Sequence, residues 1–132
     1  MNLPQRITYH DPCFMARHDN KWSAARAVLA AIPGVQISDV ARSRNRTYCC
    51  GAGGGCFWKE EVGANRINDR RFSQLSEGTP DTIAVGCPFC LTMIEDAAKS
   101  RSLEQEVRVR DLSELVAEAT ASSAQKTSSS VR

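Results

Sequence analysis

Apolar and polar positions change period several times along the chain, and the changes mark out short strands alternating with helices. RITYH (6–10) is β-branched and aromatic and predicts a first strand running into Asp11-Pro12-Cys13. In KWSAARAVLAAI (21–32) the apolar residues fall at 22, 25, 28, 29 and 32, a helical face that Pro33-Gly34 ends. VQISDVA (35–41) alternates and predicts a second strand. A helix is expected from about Trp58 to Leu75, with Glu60 and Glu61 in the first turn where the helix dipole favours acids. Gly78 to Asp81 reads as a turn, and TIAVG (82–86) as an apolar strand ending at Cys87. LTMIEDAAK (91–99) is helical, EVRVR (106–110) alternates as a fourth strand, and Asp111 is placed to cap the helix LSELVAEA. The Ser-rich end, ASSAQKTSSSVR, predicts a disordered tail at 121–132 behind one domain at 1–120.

This order of elements predicts an α/β fold, a small parallel sheet of about four strands flanked by helices. Cys13 follows the first predicted strand and Cys87 the third, while Cys49 and Cys50 precede a glycine run. Ligands of parallel sheets gather beyond the carboxyl ends of the strands, so the topology directs the cysteine groups to that edge. Composition agrees with one modest core: 132 residues, 42% hydrophobic and 24% charged. A net charge of +2 without a basic, aromatic-laced stripe argues against nucleic acid. No apolar run approaches the roughly 20 residues of a membrane-spanning helix. MNLPQRITYHDPC lacks the charged-then-apolar pattern of an export signal, so a cytoplasmic setting is expected.

Six cysteines in such a chain are the anomaly. At this density, cytosolic cysteines more often bind metal or do redox work than form structural disulfides. Adjacent Cys49 and Cys50 suit a disulfide framework poorly, and Cys87-Pro88-Phe89-Cys90 presents two thiols on one side of a turn. The residues alone leave open a metal or cluster site, a C-x-x-C dithiol pair, and small buried hydrophobes. The GAGGG run (51–55) has neither the Lys-Ser/Thr of a P-loop nor a G-x-G-x-x-G frame. Asp11-Pro12 shapes the turn that presents Cys13. His18, in polar surroundings, reads as solvated, and Phe57 and Trp58 read as core.

The full pattern is C-x35-C-C-G-x35-C-x2-C, carried by YHDPC (9–13), YCCGAGGG (48–55), the EE…N-R-I-N stretch (60–68) and CPFCLTM (87–93). With these flanks the chain resembles the cysteine-rich CCG domain found in the CCG-bearing subunit of heterodisulfide reductase. Its relatives include iron–sulfur subunits of lactate and glycolate oxidation and fatty-acid-linked iron–sulfur oxidoreductases. The resemblance covers about residues 6–119. It implies an iron–sulfur cluster, [4Fe–4S] and either cubane or noncubane, held by Cys13, Cys49, Cys50, Cys87 and Cys90. Gly51, Gly53, Gly54 and Gly55 would then bring backbone N–H groups to a sulfide-rich anion, with His10 as a supporting donor or substrate contact rather than a ligand. Cys56 departs from the family pattern, and an inert buried thiol is the favoured reading of it. A second CCG motif and a ferredoxin segment are missing. The resemblance therefore implies an oxidoreductase component that needs a flavin- or ferredoxin-type partner subunit or upstream domain. Any membrane association, at the inner face, would come through that partner. A zinc-stabilised binding module and a Cys87/Cys90 dithiol oxidoreductase stand as the alternatives.

Overall fold

The computed structural model describes residues 5–52 and 66–129, with side chains as far as 121. Four strands, β1 (Gln5–His10), β2 (Val35–Ser38), β3 (Thr82–Val85) and β4 (Arg108–Asp111), form one sheet in the order β2-β1-β3-β4. All pairs are parallel, in a register that sets His10 beside Val85 and Val85 beside Asp111. Helices α1 (Trp22–Ala30), α2 (Ile67–Ser76), α3 (Pro88–Ser100) and α4 (Leu112–Ser129) cover its faces. The α/β sheet expected from the alternating pattern is therefore the one observed.

Period-two alternation decides which face each strand residue feeds. Ile7, Tyr9 and Ala84 pack with Ala25 and Leu29 of α1 and Leu115 of α4. Ile83 and Val85 face the other way, into a cluster with Phe72 and Leu75 of α2 and Cys90, Ile94 and Ala97 of α3. His10, one residue beyond Tyr9, is buried and bonded to α2. The chain leaves β1 toward β2 on one side and returns to β3 on the other. The order thus reverses between β1 and β3, where a crevice opens at the carboxyl ends of open parallel sheets.

Several boundaries differ from the sequence reading, each for a local reason. α3 begins at Pro88, three residues earlier than expected, because proline suits the first helical position, where its missing N–H costs nothing. β2 stops at Ser38 because Asp39 turns away to bond Arg26 and Arg44. A wide helical turn, Phe14–His18, follows Cys13, closed by Asp19 N–H donating to the Phe14 carbonyl at 3.0 Å. Asp111 caps α4 as expected, accepting from Ser113 N–H at 2.9 Å. That helix runs on to Ser129, into the stretch expected to be a disordered tail, where alanines and Gln125-Lys126 are good helix formers. The helix expected over Trp58 to Leu75 is not continuous, because Arg66 is extended at φ −65°, ψ 144° and α2 starts after it at Ile67. Gly53, Gly54, Gly55, Cys56, Phe57, Trp58, Glu60 and Glu61 lie outside the described residues. Among the described residues no helix is long and apolar enough to cross a membrane.

Candidate metal centre

The carboxyl end of β1 carries the first part of the site. Its last residue, His10, is buried, and Asp11 and Pro12 lead to Cys13, which is exposed at the start of the wide turn. β3 supplies the second part. After Val85 come Gly86 and Cys87, and Cys90 lies buried in the first turn of α3. Gly86 is dictated by its neighbour, since a Cβ there would stand 2.5 Å from the Tyr9 hydroxyl. The third part, Thr47 to Ala52, crosses the same edge of the sheet.

Asp11 ties these pieces together. Its carboxylate is fully buried and accepts from both Arg26 terminal nitrogens, at 2.7 and 2.8 Å. It also accepts the Arg44 backbone N–H at 2.7 Å, and its carbonyl accepts the Thr47 hydroxyl at 2.8 Å. Arg44 stands at φ 59°, a left-handed conformation uncommon for a side-chain-bearing residue, and the Asp11 bond holds it there. Burial alone would lower the Arg26 guanidinium, but the Asp11 and Asp39 carboxylates outweigh it and raise it above its ordinary value.

The loop so anchored delivers Cys50. His10, Cys50 and Cys90 bring their potential ligand atoms within 4.8 Å of one another, all three side chains buried. The Cys90 thiol donates to the Cys50 sulfur, which lowers Cys50 and raises Cys90, so one proton is shared between them. Burial opposes the lowering of Cys50, while His10 and the Ala52 backbone N–H, both donating to its sulfur, support it. Cys87 is in hydrogen-bonding contact with Cys90. Cys49, half-buried, accepts the Gly51 N–H at 3.3 Å. Gly51 has φ +100°, and a Cβ there would meet Met93 at 3.0 Å and the Asn68 nitrogen at 3.3 Å, so only glycine turns its N–H inward in this space. Of the residues expected to share a site, Cys50, Cys90 and His10 converge, and Cys87 adjoins Cys90. Cys13, Cys49 and Cys87 fall outside the 4.8 Å group. His18 is exposed against the Phe14 ring.

Arg71 is the residue that sequence reasoning missed. It is fully buried on α2, and its Nε–H donates to His10 Nδ1 at 2.9 Å. Its other nitrogens donate to the Arg42 carbonyl, the Gln74 side-chain oxygen and Thr47 Oγ1. Burial pulls it down to about 10, which leaves it a cation at neutral pH. Among the described residues it forms no ion pair with a carboxylate. A buried cation without a carboxylate, beside backbone and imidazole N–H groups aimed at sulfur, describes a pocket for an anionic group. A thiolate-bound iron–sulfur cluster has that charge and that preference for sulfur. The signal for Arg71 was present in the sequence, since 68, 71, 72 and 75 form the inward stripe of α2, and two of those positions are polar.

Residues 7–95 match the family model of the cysteine-rich CCG domain. The chain is 44% identical over 116 residues to the probable iron-sulfur-binding oxidoreductase FadF of Bacillus subtilis, covering 88% of this chain and 16% of that protein. It is 40% identical over 121 residues to the EtfAB:quinone oxidoreductase of Syntrophomonas wolfei, covering 86% and 17%. With one subunit of the dihydromethanophenazine:CoB–CoM heterodisulfide reductase of Methanosarcina barkeri the identity is 38% over 117 residues, covering 89% and 28%. The chain thus spans between a sixth and just over a quarter of the length of these relatives.

Proposed function

The chain belongs to the CCG cysteine-rich domain family, and we propose that it holds an iron–sulfur cluster and passes electrons as one component of a larger oxidoreductase. Cys13, Cys49, Cys50, Cys87 and Cys90 are the ligands in this reading, and residues 1–120 are the cluster-binding domain. The observation that carries it is the buried Arg71 cation, with no carboxylate partner among the described residues, behind a Cys50 sulfur that already collects N–H donors. The names of the relatives, an iron-sulfur-binding oxidoreductase, a quinone oxidoreductase and a heterodisulfide reductase component, support the same class.

When bound, the cluster supplies one-electron transfer. The chain's own residues set its surroundings. The Gly51 and Ala52 amides and His10 donate to the sulfurs, which favours added negative charge on reduction. Sheet and helices exclude water from Cys50 and Cys90, while exposed Cys13 keeps one side of the site open to a partner. That partner is a flavin- or ferredoxin-type redox subunit or domain on the cytoplasmic side, because substrates such as hydroxy acids or disulfides exchange electrons in pairs.

The structure also weighs against a zinc site that includes His10. A metal-bound histidine normally donates its other N–H to an acceptor. Here Nδ1 instead accepts from a guanidinium, so binding metal through Nε2 would demand an imidazolate. Anaerobic purification with iron and sulfide assay and EPR is the test. Brown protein with near-stoichiometric sulfide and a reducible EPR signal is expected, and colourless protein carrying one zinc overturns the proposal.

A further inference from the structure

Arg71 lies outside the cysteine motifs, yet its Nε–H is directed at Nδ1 of His10, at 2.9 Å. An imidazole nitrogen cannot both accept a hydrogen bond and carry a proton, so an Nδ1 that accepts from Arg71 has none. A neutral ring must then carry its proton on Nε2, the nitrogen donating toward Cys50. Had Nδ1 faced a carboxylate or carbonyl, the ring would present a bare Nε2 lone pair to the thiols and act as a metal ligand. The guanidinium is well suited to prevent this, because it does not give up its proton and is held by Arg42, Gln74 and Thr47 from three sides.

We propose that Arg71 is a positioning residue that commits His10 to the Nε2–H tautomer, so that the imidazole donates to the Cys50 sulfur and stays out of the metal's coordination sphere. This rests on the cluster reading for what Cys50 holds, while the tautomer itself is a property of the chain. It makes the site an all-sulfur one even though a histidine sits within 4.8 Å of two thiols.

The test is 15N NMR of the histidine side chains in the reduced, metal-free chain at pH 7.5. There are two histidines, and His18→Gln assigns them. The expected wild-type spectrum has an unprotonated His10 Nδ1 and a protonated Nε2 with resolved coupling to its hydrogen. Arg71→Lys, which keeps a cationic donor, retains that pattern. Arg71→Met leaves a buried lone pair without a donor, and Nδ1 shifts to a protonated position. A wild-type Nδ1 that carries a proton overturns the proposal, as does an Arg71→Met spectrum identical to wild type; the wild-type measurement decides even if Arg71→Met fails to fold. In the iron-loaded chain, pulsed EPR should show the weak 15N coupling of a hydrogen-bonded nitrogen, and the strong coupling of a coordinated one overturns it. Iron-free preparations, by contrast, overturn the cluster reading and leave the tautomer pattern as the measure of Arg71.

Discussion

Asp11→Asn removes a buried charge from the junction of β1, α1 and the loop that carries Cys49 and Cys50. The carboxylate pairs with Arg26 at 2.7 and 2.8 Å and also holds the left-handed Arg44 through its N–H. Removing one member of a buried pair costs about 3–5 kcal/mol when the other is left alone. Arg26 keeps Asp39 at 2.9 Å, and 11% of its side chain reaches solvent, so part of that cost is avoided. The expected loss is about 2–3 kcal/mol, roughly a 30- to 150-fold fall in the folding equilibrium constant. Urea unfolding of the metal-free chain, followed by far-UV circular dichroism, measures it. A cycle with Arg26→Met isolates the pair, and a coupling of at least about 1 kcal/mol is expected. Iron retention should fall as well, because the Asp11 carboxylate accepts the Arg44 N–H, just upstream of the cysteines. A loss under about 0.5 kcal/mol, or strict additivity with Arg26→Met, refutes the assignment of Asp11 as the tie.

Cys50→Ser and Cys90→Ser should each lose most of the bound iron in an anaerobic iron assay, whereas His10→Gln, whose amide can still donate, should keep it; equal loss in His10→Gln would make the histidine a ligand. Burial holds His10 below its ordinary 6.5, so folding favours the neutral ring, and its stabilisation is complete above pH 6.5 and declines as the pH falls below it. The unfolding free energy of the metal-free chain in urea should therefore fall more between pH 7.5 and 5.5 for wild type than for His10→Gln, by at most about 1.4 kcal/mol per pH unit. Gly86→Ala drives a methyl to 2.5 Å from the buried Tyr9 hydroxyl and should cost about 1–3 kcal/mol. Gly78→Ala, whose nearest neighbour is Ser38 Oγ at 3.7 Å, should be close to neutral, both variants being read by urea unfolding.

Helix positions were legible because a helix buries one face, and burial writes its period into the sequence. Ala25 and Leu29, buried four positions apart on α1, are a clear instance. The convergence of Cys50 and Cys90 was legible only through topology, as both lie at carboxyl ends of parallel strands or in the loop crossing them. Polar burial was harder to see. Asp11 reads as a turn residue because local chemistry explains it sufficiently, and its partners stand 15 and 33 positions away. Arg71 went unread, since the groups that offset its desolvation come from β1, the 42–47 loop and α2 itself. The wide turn after Cys13 carries no periodic signal, being too short to hold one.

The two ends of the sheet differ in how they are held. At the end away from the cysteines, Arg6 bonds Thr79 and Asp81 at the surface, and the turn from Ser102 to Glu106 closes on its own backbone. Among the described residues, no hydrogen bond or ion pair joins either turn to His10, Arg71 or a cysteine. Sequence length can therefore be added there without altering the register that fixes the other end. Fluorescent labels, affinity handles or whole inserted domains belong in the 78–80 and 102–106 turns. An insertion of one residue between Val85 and Cys87 would displace Cys87 and Cys90 together from the donors that meet them.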